Sequence, residues 1–138
     1  MKVVTRQFGE IEYSEQDVIS FSHGIIGFES CKHYLVVDEE AYQPFRWLVG
    51  IDNPETRFPV LDPLLVAPEF AKELPKGLVK RIFSSSENID LFCIVTLNGA
   101  GGRVTINLKS PVVIDYDDCS GEQLVLISEE LSVAQPIS

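Results

Sequence analysis

The chain has 138 residues, 45% of them apolar, and its 21 Asp and Glu against 11 Lys and Arg give a formal charge of −10. That length fits one domain, spanning 1–138, with a core that removes roughly 68–70% of the unfolded surface from water; the apolar share excludes a disordered chain. The charge argues against direct binding to nucleic acid or an anionic membrane, both polyanions, and leaves either a basic partner or a merely soluble surface.

Strand patterns dominate the chain. Residues 2–7 and 10–13 read as an opening hairpin turned at Phe8-Gly9. Residues 18–21 form a short apolar run, and 22–29 form a loop in which Gly24 and Gly27 flank Ile25 and Ile26. Residues 33–38 and 45–51 are strands separated by the acidic loop Asp38-Glu39-Glu40. Asp52-Asn53-Pro54 is a turn, since Asx side chains bond nearby backbone and Pro fixes φ. Short strands are expected at 58–61 and 64–66.

The middle of the chain is the one helical region. Phe70 and Leu74 are four apart, and Leu78, Val79, Ile82 and Phe83 share one face. Pro75 and Gly77 interrupt the pattern, so two short helices are expected. Residues 89–97 are almost all apolar and read as a central strand buried on both faces. A glycine-rich hairpin loop at 98–102 leads back into 103–108, where Val104, Ile106 and Leu108 alternate with Arg103, Thr105 and Asn107. Pro111 interrupts that ladder. Strands at 112–116 and 122–127 follow, and 128–138 is expected as a loose tail. The fold class is therefore mostly β: an antiparallel sandwich or a partly closed β-barrel with one or two short helices in mid-chain.

No apolar run approaches the roughly 20 residues of a membrane span. The N-terminus lacks the long apolar centre of a signal peptide, so a cytoplasmic location is expected. Cys31, Cys93 and Cys119 are odd in number and far apart, which supports neither a zinc knuckle nor a thioredoxin-type pair. Cys93, inside the apolar run, reads as a buried structural thiol. His23 and His33 lack a second ligand at metal-binding spacing. Ser84-Ser85-Ser86 lacks the glycines of a nucleophile elbow. The loop at 98–102 joins strands rather than opening a helix, so it reads as a hairpin and not a phosphate cradle. Asp52 and Asp62 adjoin Pro-containing turns, and their expected role is to accept turn N–H groups. No catalytic, cofactor or metal residues are assigned. Trp47, Phe45, Phe58, Phe28 and Tyr34 are the central aromatics; most belong in the core, and one or two are candidate partner anchors.

Three ordered segments resemble the flagellar assembly factor FliW family. They are Phe8-Gly9-Glu10-Ile11 with Gly24-Ile25-Ile26-Gly27-Phe28-Glu29; Pro44-Phe45-Arg46-Trp47-Leu48 with Asp52-Asn53-Pro54 and Phe58-Pro59-Val60-Leu61-Asp62-Pro63; and Val104 to Leu108 with Pro111-Val112-Val113-Ile114. Ile26 stands where that family usually has Pro. The resemblance implies a cytoplasmic, mostly β protein that is not an enzyme. It implies binding to the basic translational regulator CsrA, with allosteric relief of CsrA repression of flagellin messenger RNA, and sequestration by flagellin. The candidate partner-binding residues are Phe28 and Glu29, the loop Asp38, Glu39 and Glu40, Trp47, and Thr105 and Asn107 on the polar strand face. Two alternatives stay open on the residues alone. One is a small β-barrel enzyme with a carboxylate cleft around Asp52, Asp62 or Glu29. The other is an acidic inhibitor that imitates nucleic acid.

Overall fold

The computed structural model of the protein describes residues 1–84, 86–98 and 100–137. Among the described residues eleven strands carry it: β1 Lys2–Thr5, β2 Gly9–Glu12, β3 Ile19–Ser20, β4 His33–Val37, β5 Arg46–Gly50, β6 Arg57–Leu61, β7 Ile89–Thr96, β8 Thr105–Ile106, β9 Val112–Asp115, β10 Ser120–Gln123 and β11 Gln135–Pro136. One α-helix, α1, spans Lys76–Ile82. β1 and β2 form a separate hairpin. Seven strands close on themselves in the order β7-β6-β5-β4-β3-β10-β9, with β9 returning to β7. The architecture is thus a closed barrel, one of whose seams is slight: β3 and β10 run parallel and pair only at Ser20 and Ser120.

Alternation along the strands builds two cores. Tyr34 on β4, Leu48 on β5, Phe58 and Val60 on β6, Phe92 on β7 and Ile114 on β9 fill the barrel together with Ile19 and Phe21. The opposite faces of β6 and β7 turn outward. Leu61, Leu91, Cys93 and Val95 pack there with Phe70, Leu74, Ile106, Leu108 and Leu126 in a second core. β7 is consequently buried on both faces along Leu91–Val95, as its almost wholly apolar run predicts. Gly121 faces inward because Phe21 occupies the space beside it: a Cβ there would lie 2.3 Å from the ring.

The expected strand at 64–66 is instead a 3-10 turn, Pro63–Leu65. Pro63 has no N–H for a ladder, and the Asp62 carboxylate accepts the Leu64 N–H at 2.9 Å, which stabilises the turn over an extended chain. The helical middle is a 3-10 segment, Pro68–Glu73, then Pro75, then α1; Gly77 lies inside α1 and does not break it. The strand expected over 103–108 pairs with β7 at Thr105 and Ile106, and the Asn107 N–H still reaches the Ile94 carbonyl at 2.9 Å. There the Asn107 side chain accepts the N–H groups of Lys109 and Ser110 at 3.1 and 3.2 Å and folds the chain into a bulge, after which β9 resumes on the same edge of β7. Gly99 of the loop at 98–102 and Ser85 of the serine run lie outside the described residues, as does Ser138.

The segment expected as a loose tail docks through most of its length. Leu108 donates its N–H to the Ser132 carbonyl at 3.0 Å, β11 pairs with β8, and Ile137 donates to Val104 at 2.9 Å. Leu131 and Ile137 pack on the second core. Their wide spacing hides that role from a period-2 pattern.

Candidate partner-binding site

Trp47 lies on the outward face of β5, between Val37 of β4 and Pro59 of β6. Phe8, from the turn of the opening hairpin, meets its ring edge-on at 5.9 Å. Tyr42 meets it at 6.0 Å and Phe8 at 5.7 Å. Tyr42 is presented by a 3-10 turn, Glu40–Tyr42, that follows directly on the acidic loop. The three rings stand in the mutual T-shaped arrangement that aromatic quadrupoles favour. Tyr42 and Trp47 edge a groove of about 620 Å³ completed by Gln7, Phe45, Glu55, Arg57, Pro59 and Leu97, and Phe8 supports both rings from beside it. Arg57 is held there by Gln7 at 2.9 Å and Glu55 at 3.5 Å. Trp47 is 8% exposed, and its indole N–H has no hydrogen-bond partner among the described residues.

The acidic loop divides by role. Asp38 faces Arg46 at 3.4 Å and accepts from Gln43 at 3.4 Å. Arg46 also reaches Asp90 at 2.7 Å and lies over the Phe92 ring. Asp90 in turn accepts from the Tyr116 hydroxyl at 2.6 Å. Burial, followed by the adjacent Asp90, raises the Tyr116 phenol far above its ordinary range, so it stays a donor. This chain of groups links β4, β5, β7 and the end of β9. Glu39 and Glu40 are exposed and have no ion-pair partner among the described residues. The structure therefore brings Glu39, Glu40 and Trp47 into one neighbourhood through Tyr42.

Phe28 and Glu29 lie at the other end of β4. Phe28 is 45% exposed and caps the barrel edge-on against Phe58 at 4.8 Å. Gly24 makes this loop possible: its φ is +68°, and a Cβ would lie 2.8 Å from the Glu29 backbone. Thr105 is half-buried between β7 and β11, and Asn107 is held in its turn. These two residues are distant in the chain from the aromatic groove and serve the ladder. Phe8, Tyr42 and Arg46 are contributors that sequence reasoning passed over. The one sequence signal for Tyr42 is an aromatic residue two places after three acidic ones.

Of the three carboxylates of the enzyme alternative, Asp52 and Asp62 are otherwise engaged. Asp52 accepts the N–H groups of Lys32 and His33 at 2.9 and 3.2 Å and faces the His33 ring at 3.2 Å. Burial raises its pKa, but these partners outweigh burial and leave it below the usual carboxylate range, the reverse of a general acid. Asp62 caps its turn, and Glu29 is exposed. Cys93 is fully buried, and burial, followed by the charge of Asp62, pushes its thiol up to about 12. No helix among the described residues is long and apolar enough to cross a membrane.

The model of the FliW protein family matches residues 2–137. The chain belongs to the FliW family. The flagellar assembly factor FliW of Lachnospira eligens is 39% identical over 99% of this chain and 94% of its own length. That of Caldanaerobacter subterraneus subsp. tengcongensis is 36% identical over 99% and 93%. A crystal structure of the flagellar assembly factor FliW superposes with a TM-score of 0.81 at 26% identity, covering 99% of this chain and 96% of the other. The FliW fold thus accounts for the closed barrel, and the aromatic groove lies on its outer wall.

Proposed function

We propose that this protein is a non-enzymatic flagellar assembly factor of the cytoplasm that partitions between CsrA and flagellin. Bound to CsrA, it relieves repression of flagellin messenger RNA allosterically; accumulated flagellin takes it up and frees CsrA. The observation that carries this reading is family membership across almost the whole chain, with relatives themselves named flagellar assembly factors. The geometry agrees with a binding role. An aromatic groove beside unpaired Glu39 and Glu40 offers apolar anchorage next to negative charge, which suits a basic protein.

The test is a pull-down of purified CsrA and of flagellin, coupled to gel shifts with a flagellin leader RNA. The expected outcome is a complex with each protein, competition between them, and a transient species holding RNA and this protein on one CsrA dimer. Capture of neither protein at low salt defeats the proposal. Strict mutual exclusion of RNA and this protein would favour a nucleic-acid mimic instead.

A further inference from the structure

We infer that residues 125–127 form an open strand edge that takes up an extended apolar segment with basic flanks by strand addition; the edge begins beyond Gln123, whose side chain accepts the Ile26 N–H at 2.9 Å. This goes beyond the reading above and needs neither of its named partners. β10 pairs with β9 in a register set by Ser120 opposite Asp115. The same register continues past the end of β10, where Leu124 donates to Pro111 and Leu126 to Lys109, each at 2.8 Å. The even-numbered residues therefore bond to the inner neighbour, and the odd-numbered ones turn their N–H and C=O groups the other way. β3 covers that outer edge at Ser120 alone. Among the described residues the backbone groups of Val125 and Ile127 have no partner.

The side chains at these positions are exposed as well, Val125 by 59% and Ile127 by 94%. A lone exposed aliphatic residue is ordinary. Two β-branched residues alternating on an unpaired edge are a template for another strand. A shallow groove of about 380 Å³ lies alongside, lined by Glu73, Leu74 and Pro75 together with the edge itself.

Charge selects the occupant. Glu73 lines the groove, Glu122 precedes the edge, and Glu129 and Glu130 follow it; none has an ion-pair partner among the described residues. Lys109 is on the inner neighbour. A second copy of this chain would bring the same carboxylates and be repelled, whereas lysines or arginines flanking an apolar strand would be drawn in.

The test uses the full-length chain labelled with ¹⁵N and a synthetic peptide of alternating valine and threonine with two lysines at each end. We expect hydrogen exchange at the Val125 and Ile127 amides to slow about tenfold or more in peptide excess, with shift changes centred on 121–130. A glutamate-flanked peptide, and a lysine-flanked one N-methylated at alternate residues, should leave these amides unchanged. Val125→Pro removes an N–H that no internal bond uses and should abolish binding; the N-methylated peptide tests the same ladder without altering the fold. Unchanged exchange with millimolar lysine-flanked peptide overturns the inference. So does equal protection by the glutamate-flanked or N-methylated peptide, or protection that grows with protein concentration alone.

Discussion

At the scale of single residues, a side chain's worth here depends on what faces it. Gly121 and Gly77 make the point as a pair. A Cβ on Gly121 would meet the Phe21 ring at 2.3 Å inside a filled barrel, whereas one on Gly77 meets nothing within 4 Å on a helix surface. Gly121→Ala should therefore cost about 1–3 kcal/mol through overpacking. Gly77→Ala should gain roughly 0.5–1 kcal/mol from helix propensity. Urea midpoints moving in opposite directions would verify both; a neutral Gly121→Ala would mean that the ring can move aside. Asp52 yields a pH signature. Its folded pKa is depressed, so its contribution is complete above the unfolded carboxylate value and is lost as pH falls through the folded one. Asp52→Asn should be less stable than the parent at pH 7 by about 0.5–1 kcal/mol, the small figure reflecting a site 41% exposed. The difference should begin to close below about pH 4 and vanish only as the pH passes the depressed folded value. Paired denaturation curves across pH 3–7 check this, and a gap that stays constant with pH would rule out the charge as its source.

At the scale of elements, the tail is the clearest case of a segment whose role is tertiary. Ending the chain after Glu130 removes Leu131 and Ile137 from the second core, the β11–β8 ladder, and the bonds to Leu108 and Val104. None of the lost residues enters the barrel core. Truncation should thus lower stability by about 3 kcal/mol while the β-sheet circular dichroism persists. Loss of all structure would show that the barrel depends on its outer layer; no loss would mean that β11 does not dock in solution. The same contrast explains what could be read from the sequence. β4 to β7 announced themselves because each carries enough apolar and β-branched residues to be buried on a sheet. β8 lies within the alternating stretch 103–108, though only two of its residues enter the ladder; β11 is two residues held by neighbours distant in sequence, and no local pattern encodes it. The turn at Pro63–Leu65 reads as a strand from sequence because Leu64, Leu65 and Val66 are an aliphatic run. Trp47 was legible as an anchor candidate, but Phe8 and Tyr42 lie 39 and 5 residues from it, and only the fold assembles the three. Asn107, a candidate contact on the polar strand face from sequence, also uses its side-chain oxygen to shape the bulge between β8 and β9, a role no local pattern signals.

At the scale of the whole molecule, the formal charge of −10 should set encounter more than grip. Unpaired carboxylates such as Glu39 and Glu40 attract a basic protein over a distance that salt limits to about 10 Å at 0.1 M. The aromatic groove acts only after contact, over van der Waals range. For the proposed complex with the basic regulator, the two contributions separate kinetically. Raising salt from 50 to 500 mM should reduce the association rate about tenfold or more and leave dissociation nearly unchanged. The double variant Glu39→Lys, Glu40→Lys should reproduce part of that slowing at low salt. Tyr42→Ala removes an exposed ring from the groove edge and should instead speed dissociation. Stopped-flow or surface-binding kinetics distinguish these effects. An association rate indifferent to salt would show that the acidity serves solubility alone, and a Tyr42 variant that dissociates at the parental rate would place the docking surface elsewhere on the barrel.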